Sequence, residues 1–457
     1  MVAGPARIPG AADRPPVAGT APLWAAEWRA RTLGHASLAI YREGEPPLLL
    51  TDPWLVGSVY WRSWWLQHYP SPAEIEWLSA SAFVYVTHEH PDHFHMPSIR
   101  RLGRGPSYLF PALSERGFLD HIRERGFGAE CLAPRRWRRL AKGVAVMSLP
   151  LWNDDSLLLI DAPGALILNF NDAKPPPPVL RAVRRLADRV KKPRVLLCSY
   201  SPASLVNSFN DERGTVSLRT PRHYVDWVCR LADRLAADFY MPFASQAVFD
   251  RADSRWANEH RTLYRDLCRH WRGRTQLLPP YATLDLDGFG WSAPAPENYR
   301  LMPSKRVATL TERRLVAEEG VEISAADIRG LERKLNKFRL LLRFVFRRGF
   351  AFRLGGRVYG YDPAAGQLAE GAALGDFVVD VPKLTLREAV ANNHLSDLGI
   401  TMLVRIRLLR RLDPRKVYAL FVLFQFDDYG HLRNTRSFLR WVGRGARSSL
   451  TLRLPLP

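Results

Sequence analysis

The chain has 457 residues, 47% hydrophobic and 24% charged, enough for two or three domains with cores of their own. No apolar run reaches the roughly 18–20 residues that a membrane-spanning helix needs, so a membrane span is not expected. Lysine and arginine number 66 against 45 aspartates and glutamates, and the resulting net charge of +21 favours anionic partners (nucleotides, acidic substrates, a carrier protein or nucleic acid) or reflects high arginine usage throughout, without selecting a function.

Residues 1–23 are rich in alanine, proline and glycine, lack an apolar core segment, and read as a disordered lead-in rather than a signal peptide. Two strands are expected at Trp28 to Ile40 and Leu48 to Thr51, joined by a turn at Arg42–Pro47. Asp52 ends the second, and a tryptophan-rich loop follows with Tyr60, Trp61, Trp64 and Trp65. A short helix at 73–80 leads into the apolar run Ala82–Val86, after which comes Thr87-His88-Glu89-His90-Pro91-Asp92-His93. Helices are then expected at Pro97 to Leu102, 113–125, 178–190 and Arg222 to Leu235. They interleave with strands at Ser107 to Phe110, Val144 to Leu149, Leu157 to Asp161, Ala165 to Asn169 and Val195 to Ser199. This α/β unit is expected to run from 24 to 295, closing after Ala282–Leu286. From 300 to 457 a smaller α+β domain is predicted. It has one long basic helix from Ser324 to about Arg348, strands at 350–361, 376–382, 400–408 and 417–426, and a helix at Leu384 to Asn392. The basic helix is open to a membrane-surface or nucleic-acid role, and the favoured expectation is that it buries its apolar stripe and leaves its charges in water. On balance a nucleic-acid role is not expected.

Four cysteines (Cys131, Cys198, Cys229, Cys268) lack paired spacing, which argues for a reducing, cytoplasmic setting. Cys268-Arg269-His270 supplies one half of a Rieske pattern, and no second half follows. The segment His88–His93 carries the chemistry. Three imidazoles and a carboxylate within six residues, at the end of a buried strand, form a ligand set suited to zinc or iron. His35, in Gly-His-Ala, and His68, in the tryptophan-rich loop, are candidates to face a substrate, and Trp64 is a candidate to stack on one.

His88-x-His90-x-Asp92-His93, with Asp52 after an earlier strand and Asp172 after a later one, resembles the metallo-β-lactamase superfamily. Within it the chain is most similar to the corresponding domain of CMP-N-acetylneuraminate hydroxylase and its bacterial relatives. The likeness runs through Gly34-His35-Ala36, Leu50-Thr51-Asp52-Pro53-Trp54-Leu55, Trp64-Trp65-Leu66-Gln67-His68, Ile167-Leu168-Asn169, Pro242-Phe243-Ala244 and Leu284-Asp285-Leu286. The resemblance implies an αβ/βα sandwich with a metal site at one edge, His88, His90, Asp92, His93 and Asp172 as ligands, and Asp52 bracing them. Asp92 and Asp52 are the expected catalytic carboxylates. Hydrolytic members add a histidine where this chain reads Trp152-Asn153-Asp154-Asp155, and Asn153, Asp154 or Asp155 becomes the possible replacement ligand. They add another near Gln246, which is assigned to orienting substrate.

Two ligand groupings stay open: His88 and His90 with Asp172, or His93 with Asp92 and Asp172. The first is a two-histidine, one-carboxylate face of the kind that leaves positions open on non-haem iron(II). The favoured expectation is therefore an iron oxygenase, with one or two ions, hydroxylating an anionic, nucleotide-sugar-like or biosynthetic substrate with electrons from a separate donor. A zinc- or manganese-dependent hydrolase of a phosphodiester, ester or amide is the alternative, and a non-catalytic ligand-binding member of the fold is a second one. The sequence leaves the oligomeric state open.

Overall fold

The computed structural model describes residues 28–113, 117–202, 204–450 and 454–457. The lead-in at 1–23 lies outside them. Two sheets face each other. One has eight strands, with Trp28–Leu33, Ser37–Arg42, Leu49–Thr51, Phe83–Tyr85 and Ser107–Pro111 at its centre. The other has seven, built around Val144–Pro150, Ser156–Asp161, Leu166–Asn171, Arg194–Cys198 and Phe239–Pro242. Alternation along each strand sorts the side chains into layers. Leu38, Ile40, Tyr85 and Leu109 of the first sheet meet Leu158, Ile160, Ile167, Val195 and Met241 of the second in the central core. The intervening residues Ala39, Leu50, Val84 and Tyr108 face helices carrying Leu78, Ile99 and Ile122. Leu157, Leu159, Leu168 and Leu196 face the helices Pro177–Val190 and Pro221–Leu235. The order helix, sheet, sheet, helix is the αβ/βα sandwich.

Each sheet contains a run of parallel strands whose C-terminal ends open onto one edge: Leu49–Thr51 with Phe83–Tyr85, and Leu166–Asn171 with Arg194–Cys198. Asp52, the 87–93 loop and Asp172 all leave from there. Ligand sites in α/β sheets favour the carboxyl ends of strands for this reason.

A third sheet of seven strands holds Phe350–Leu354, Arg357–Asp362, Gln367–Glu370, Phe377–Asp380 and Arg405–Leu408. The hairpin Phe209–Asp211 and Gly214–Val216 joins it, pairing Phe209 with Ile406 across the chain.

Several expectations need correction. Trp28 to Ile40 is a hairpin, not one strand, because Gly34 turns the chain with φ +56°, and a Cβ there would meet the Trp54 carbonyl oxygen at 2.7 Å. Gly34→Ala should therefore destabilise the chain by about 1–3 kcal/mol, read as a lowered melting temperature. An unchanged melt would show that the turn relaxes freely. The basic helix breaks into Ala325–Asn336 and Arg339–Val345, and an unanticipated helix, Ser304–Gly320, precedes it. Residues 350–361 form two strands, reversed by the positive-φ Gly355. The run 417–426, whose Val, Tyr and Phe suggest a strand, lies in the helix Pro414–Asp428. There Asp413 caps the first turn, Pro414 occupies it, and Val417, Leu420, Phe421 and Phe424 are buried at helical spacing.

Candidate metal centre

The 87–93 loop is held from below. Asp52 is fully buried, with φ +41°, and its carboxylate accepts from the Thr87 amide at 2.7 Å and the Thr87 hydroxyl at 2.9 Å. Its Oδ2 also lies 3.3 Å from His93 Nδ1, which turns His93 Nε2 toward the sheet edge. That nitrogen has no hydrogen-bond partner and lies 3.5 Å from Asp92 Oδ2 and 3.8 Å from Asp172 Oδ1.

Six side chains gather into two adjacent groups whose ligand atoms lie within 4.8 Å of one another in each: His88, His90 and Asp172, and His35, Asp92 and His93. His88 Nε2 and His90 Nδ1 face each other at 2.8 Å. Two nitrogens each about 2.1 Å from one ion at right angles would stand about 3 Å apart, so this pair has the spacing of neighbouring ligands. Asp172 Oδ1 is buried without a hydrogen-bond partner, 3.9 Å from His88 Nε2. The donor set, four imidazoles and two carboxylates with His93 Nε2 and Asp172 Oδ1 left unsatisfied, fits a transition-metal ion in each group.

Burial lowers the pKa of His88 well below its usual value and that of His90 below it, which keeps both in the neutral, metal-binding form. Burial also opposes charge on His93, yet the carboxylates of Asp92, Asp172 and Asp52 hold it well above the normal range. Asp92 is held well below the carboxylate range, against burial, by His93 and His35. The local field draws positive charge to the point where the carboxylates meet.

His35, which the sequence placed on the substrate side, instead belongs to the second ligand group, with Nε2 3.4 Å from Asp92 Oδ2. Its turn beneath Trp54 brings it there. Other expected roles are corrected by packing. Trp64 is buried against Tyr60, Phe249 and His35, so it offers no open stacking face. His68 Nδ1 accepts from the Arg300 amide at 2.6 Å, and its ring lies against Tyr281 and Tyr299, outside both groups. Gln246 spends its amide internally, accepting from the Tyr200 hydroxyl and donating to the Pro242 carbonyl. Asp154 pairs with His431 at 2.6 Å rather than joining a ligand group. Asn153 keeps a buried amide oxygen without a hydrogen-bond partner. Asp155, the next residue, stands 3.6 Å behind His88 Nδ1.

Neither Tyr60 nor Tyr429 was among the expected site residues. Tyr60 donates to Asp92 Oδ1 at 2.7 Å. The Tyr429 hydroxyl lies 2.9 Å from His90 Nε2, a contact across 339 residues of chain. It engages the nitrogen opposite the one facing His88. Outer partners of this kind set the tautomer and orientation of a ligand imidazole. Tyr429→Phe should weaken metal binding by about 10-fold, measured by titration against a chelator. Unchanged affinity would reduce the contact to packing.

A cavity of about 340 Å³ opens beside His90. Its walls include Tyr60, Trp61, Phe94 and Tyr429, with Glu89, Asp397 and Asp428 as acidic members. Among the described residues no lysine or arginine lines it, so the anionic substrate expected from net charge finds only the imidazoles of His90 and His394 as basic groups in these walls. Lys334 neutralises Asp428 from behind, at 2.6 Å. Burial, with Asp428, Glu89 and Asp92 nearby, raises the Asp397 carboxyl well above its usual range.

No family model matches the chain. It is 24% identical over 228 residues to the inactive cytidine monophosphate-N-acetylneuraminic acid hydroxylase of Homo sapiens, covering 47% of this chain and 44% of that one. It is 30% identical over 144 residues to the hydroxylase of Asterias rubens, covering 28% of this chain and 21% of that one. The chain thus spans less than half the length of these relatives. Among solved structures, a possible metal-dependent hydrolase from Veillonella parvula is 12% identical, with TM-score 0.41 over 57% of this chain and all (100%) of that one. The metallo-β-lactamase-fold protein YhfI from Bacillus subtilis is 10% identical, with TM-score 0.34 over 56% and 98%. Two sheets layered between helices, with a histidine-rich loop at their shared edge, give the chain the metallo-β-lactamase fold, and part of its sequence is similar to the CMP-N-acetylneuraminic acid hydroxylases.

Proposed function

We propose that the chain is a non-haem iron oxygenase that hydroxylates a polar small molecule. One observation carries this reading: two neighbouring groups, each of two histidines and one carboxylate. Such a face leaves coordination positions open on iron(II), and bound iron would supply the dioxygen chemistry there. His88, His90 and Asp172 would hold one ion, and His35, Asp92 and His93 the other. Asp52 orients His93, and Tyr429 orients His90. The balanced reaction turns one C–H or N–H into a hydroxyl. One atom of dioxygen enters the product and the other leaves as water, using two electrons from a separate donor and two protons. The cavity beside His90 would take the substrate, with aromatic walls to exclude water and the Asp397 carboxyl to hydrogen-bond it. Its acidic, arginine-free lining favours a molecule presenting hydroxyl or amino groups there. Any phosphate of a nucleotide sugar would have to lie outside it.

The experiment is elemental analysis of anaerobically purified protein combined with oxygen uptake under added reductant. Bound iron and reductant-dependent uptake are expected. Zinc alone, with no oxygen consumed, would overturn the reading.

A second reading, a two-metal hydrolase, is favoured by the adjacency of the groups. Asp172 lies within 4 Å of a histidine in each (3.9 Å from His88, 3.8 Å from His93), so it could serve either group, and a bound pair of ions would supply water activation and Lewis-acid chemistry there. It predicts hydrolysis of a generic phosphodiester with zinc or manganese in the absence of oxygen.

A further inference from the structure

The helix Arg339–Val345 presents apolar side chains outward. Leu342, 1% exposed, anchors it in the core around the third sheet. On the opposite side Leu340 is 84%, Leu341 44% and Phe344 73% exposed. Their spacing places them on one arc of the helix. Arg343, Arg347 and Arg348 are exposed beside this arc and form no ion pair with a carboxylate among the described residues. Lys337 and Arg339 are otherwise engaged, with Asp427 and with the carbonyls of Pro363 and Ala364.

We propose that this helix docks the enzyme on the surface of an anionic lipid bilayer. Charge and shape select that occupant. A second copy would bring the same +21 charge against this one. A nucleic acid would use the arginines but give no burial to a protruding leucine and phenylalanine. A bilayer surface accepts both: acyl chains take Leu340, Leu341 and Phe344, and lipid phosphates take the guanidinium groups. No helix among the described residues is long and apolar enough to cross a membrane, so the attachment is peripheral.

The test is flotation of the full chain with vesicles of phosphatidylcholine alone or mixed with phosphatidylglycerol. Binding is expected only to the mixed vesicles, falling as salt rises. Leu340→Ser with Phe344→Ser should reduce it at least about 10-fold, and Arg343→Glu or Arg347→Glu about five-fold or more each. These positions are exposed, so an unchanged thermal melt shows that the fold is intact. Leu439→Ser, in the exposed apolar patch of the helix Thr435–Leu450, should leave binding unchanged. The proposal is overturned by no vesicle binding at low salt or by equal binding to both vesicle types. It is also overturned if the serine variants bind normally, if Leu439→Ser is equally defective, or if the face captures RNA and not vesicles.

Discussion

Asp172→Ala is expected to lose bound metal and turnover together, with activity falling by more than about 100-fold. The reason is position. Its Oδ1 lies 3.9 Å from His88 Nε2 and 3.8 Å from His93 Nε2, so one carboxylate oxygen stands between the two ligand groups. Losing an outer-sphere partner alone typically costs 10- to 100-fold, and losing a shared ligand should exceed that. Asp172 is partly exposed, and its substitution creates no large cavity, so the thermal melt of the metal-free chain should change little. Elemental analysis of the purified variant decides the matter. Retention of full metal occupancy would show that Asp172 is not a ligand, and the oxygenase and two-metal readings would both lose their shared carboxylate.

Asp52→Ala should act differently, on folding first and on metal second. The carboxylate is buried and accepts from the Thr87 amide and hydroxyl, while its Oδ2 meets His93 Nδ1. Truncation leaves an amide and an imidazole unsatisfied in the core, a loss of about 3 kcal/mol or more. Asp52→Asn keeps an acceptor for Thr87 but removes the negative charge opposite His93. It should preserve most of the stability and still lower metal affinity by about 10- to 100-fold. Denaturant unfolding and chelator titration on both variants separate the two effects. Equal metal affinity in Asp52→Asn and the unaltered chain would show that His93 needs no brace.

The local chemistry of the centre was legible from residues alone. His88, His90, Asp92 and His93 lie within six positions at a strand end, and a strand end confines their directions whatever the rest of the chain does. The alternation of helices and strands from 28 to 290 likewise announced a layered α/β fold. The C-terminal region was harder to read. Val417, Tyr418, Phe421, Val422 and Phe424 carry high β-propensity, and the cap at Asp413 with Pro414 behind it outweighed that propensity once one face could be buried.

The sequence by itself determined which residues could bind metal near 88–93 and that strands and helices would layer around a core; that two sheets would enclose it was implied by the resemblance alone. Only the tertiary structure decided how the ligands divide. It brought His35 in from a turn, aligned Tyr429 on His90 across 339 residues, and withdrew His68, Trp64, Gln246 and Asp154 into internal contacts. The physical reason is that a ligand set is a set of distances. Within a loop, covalent geometry limits those distances. Between remote segments they follow from how strands pair and layers pack, which no local pattern of residues records.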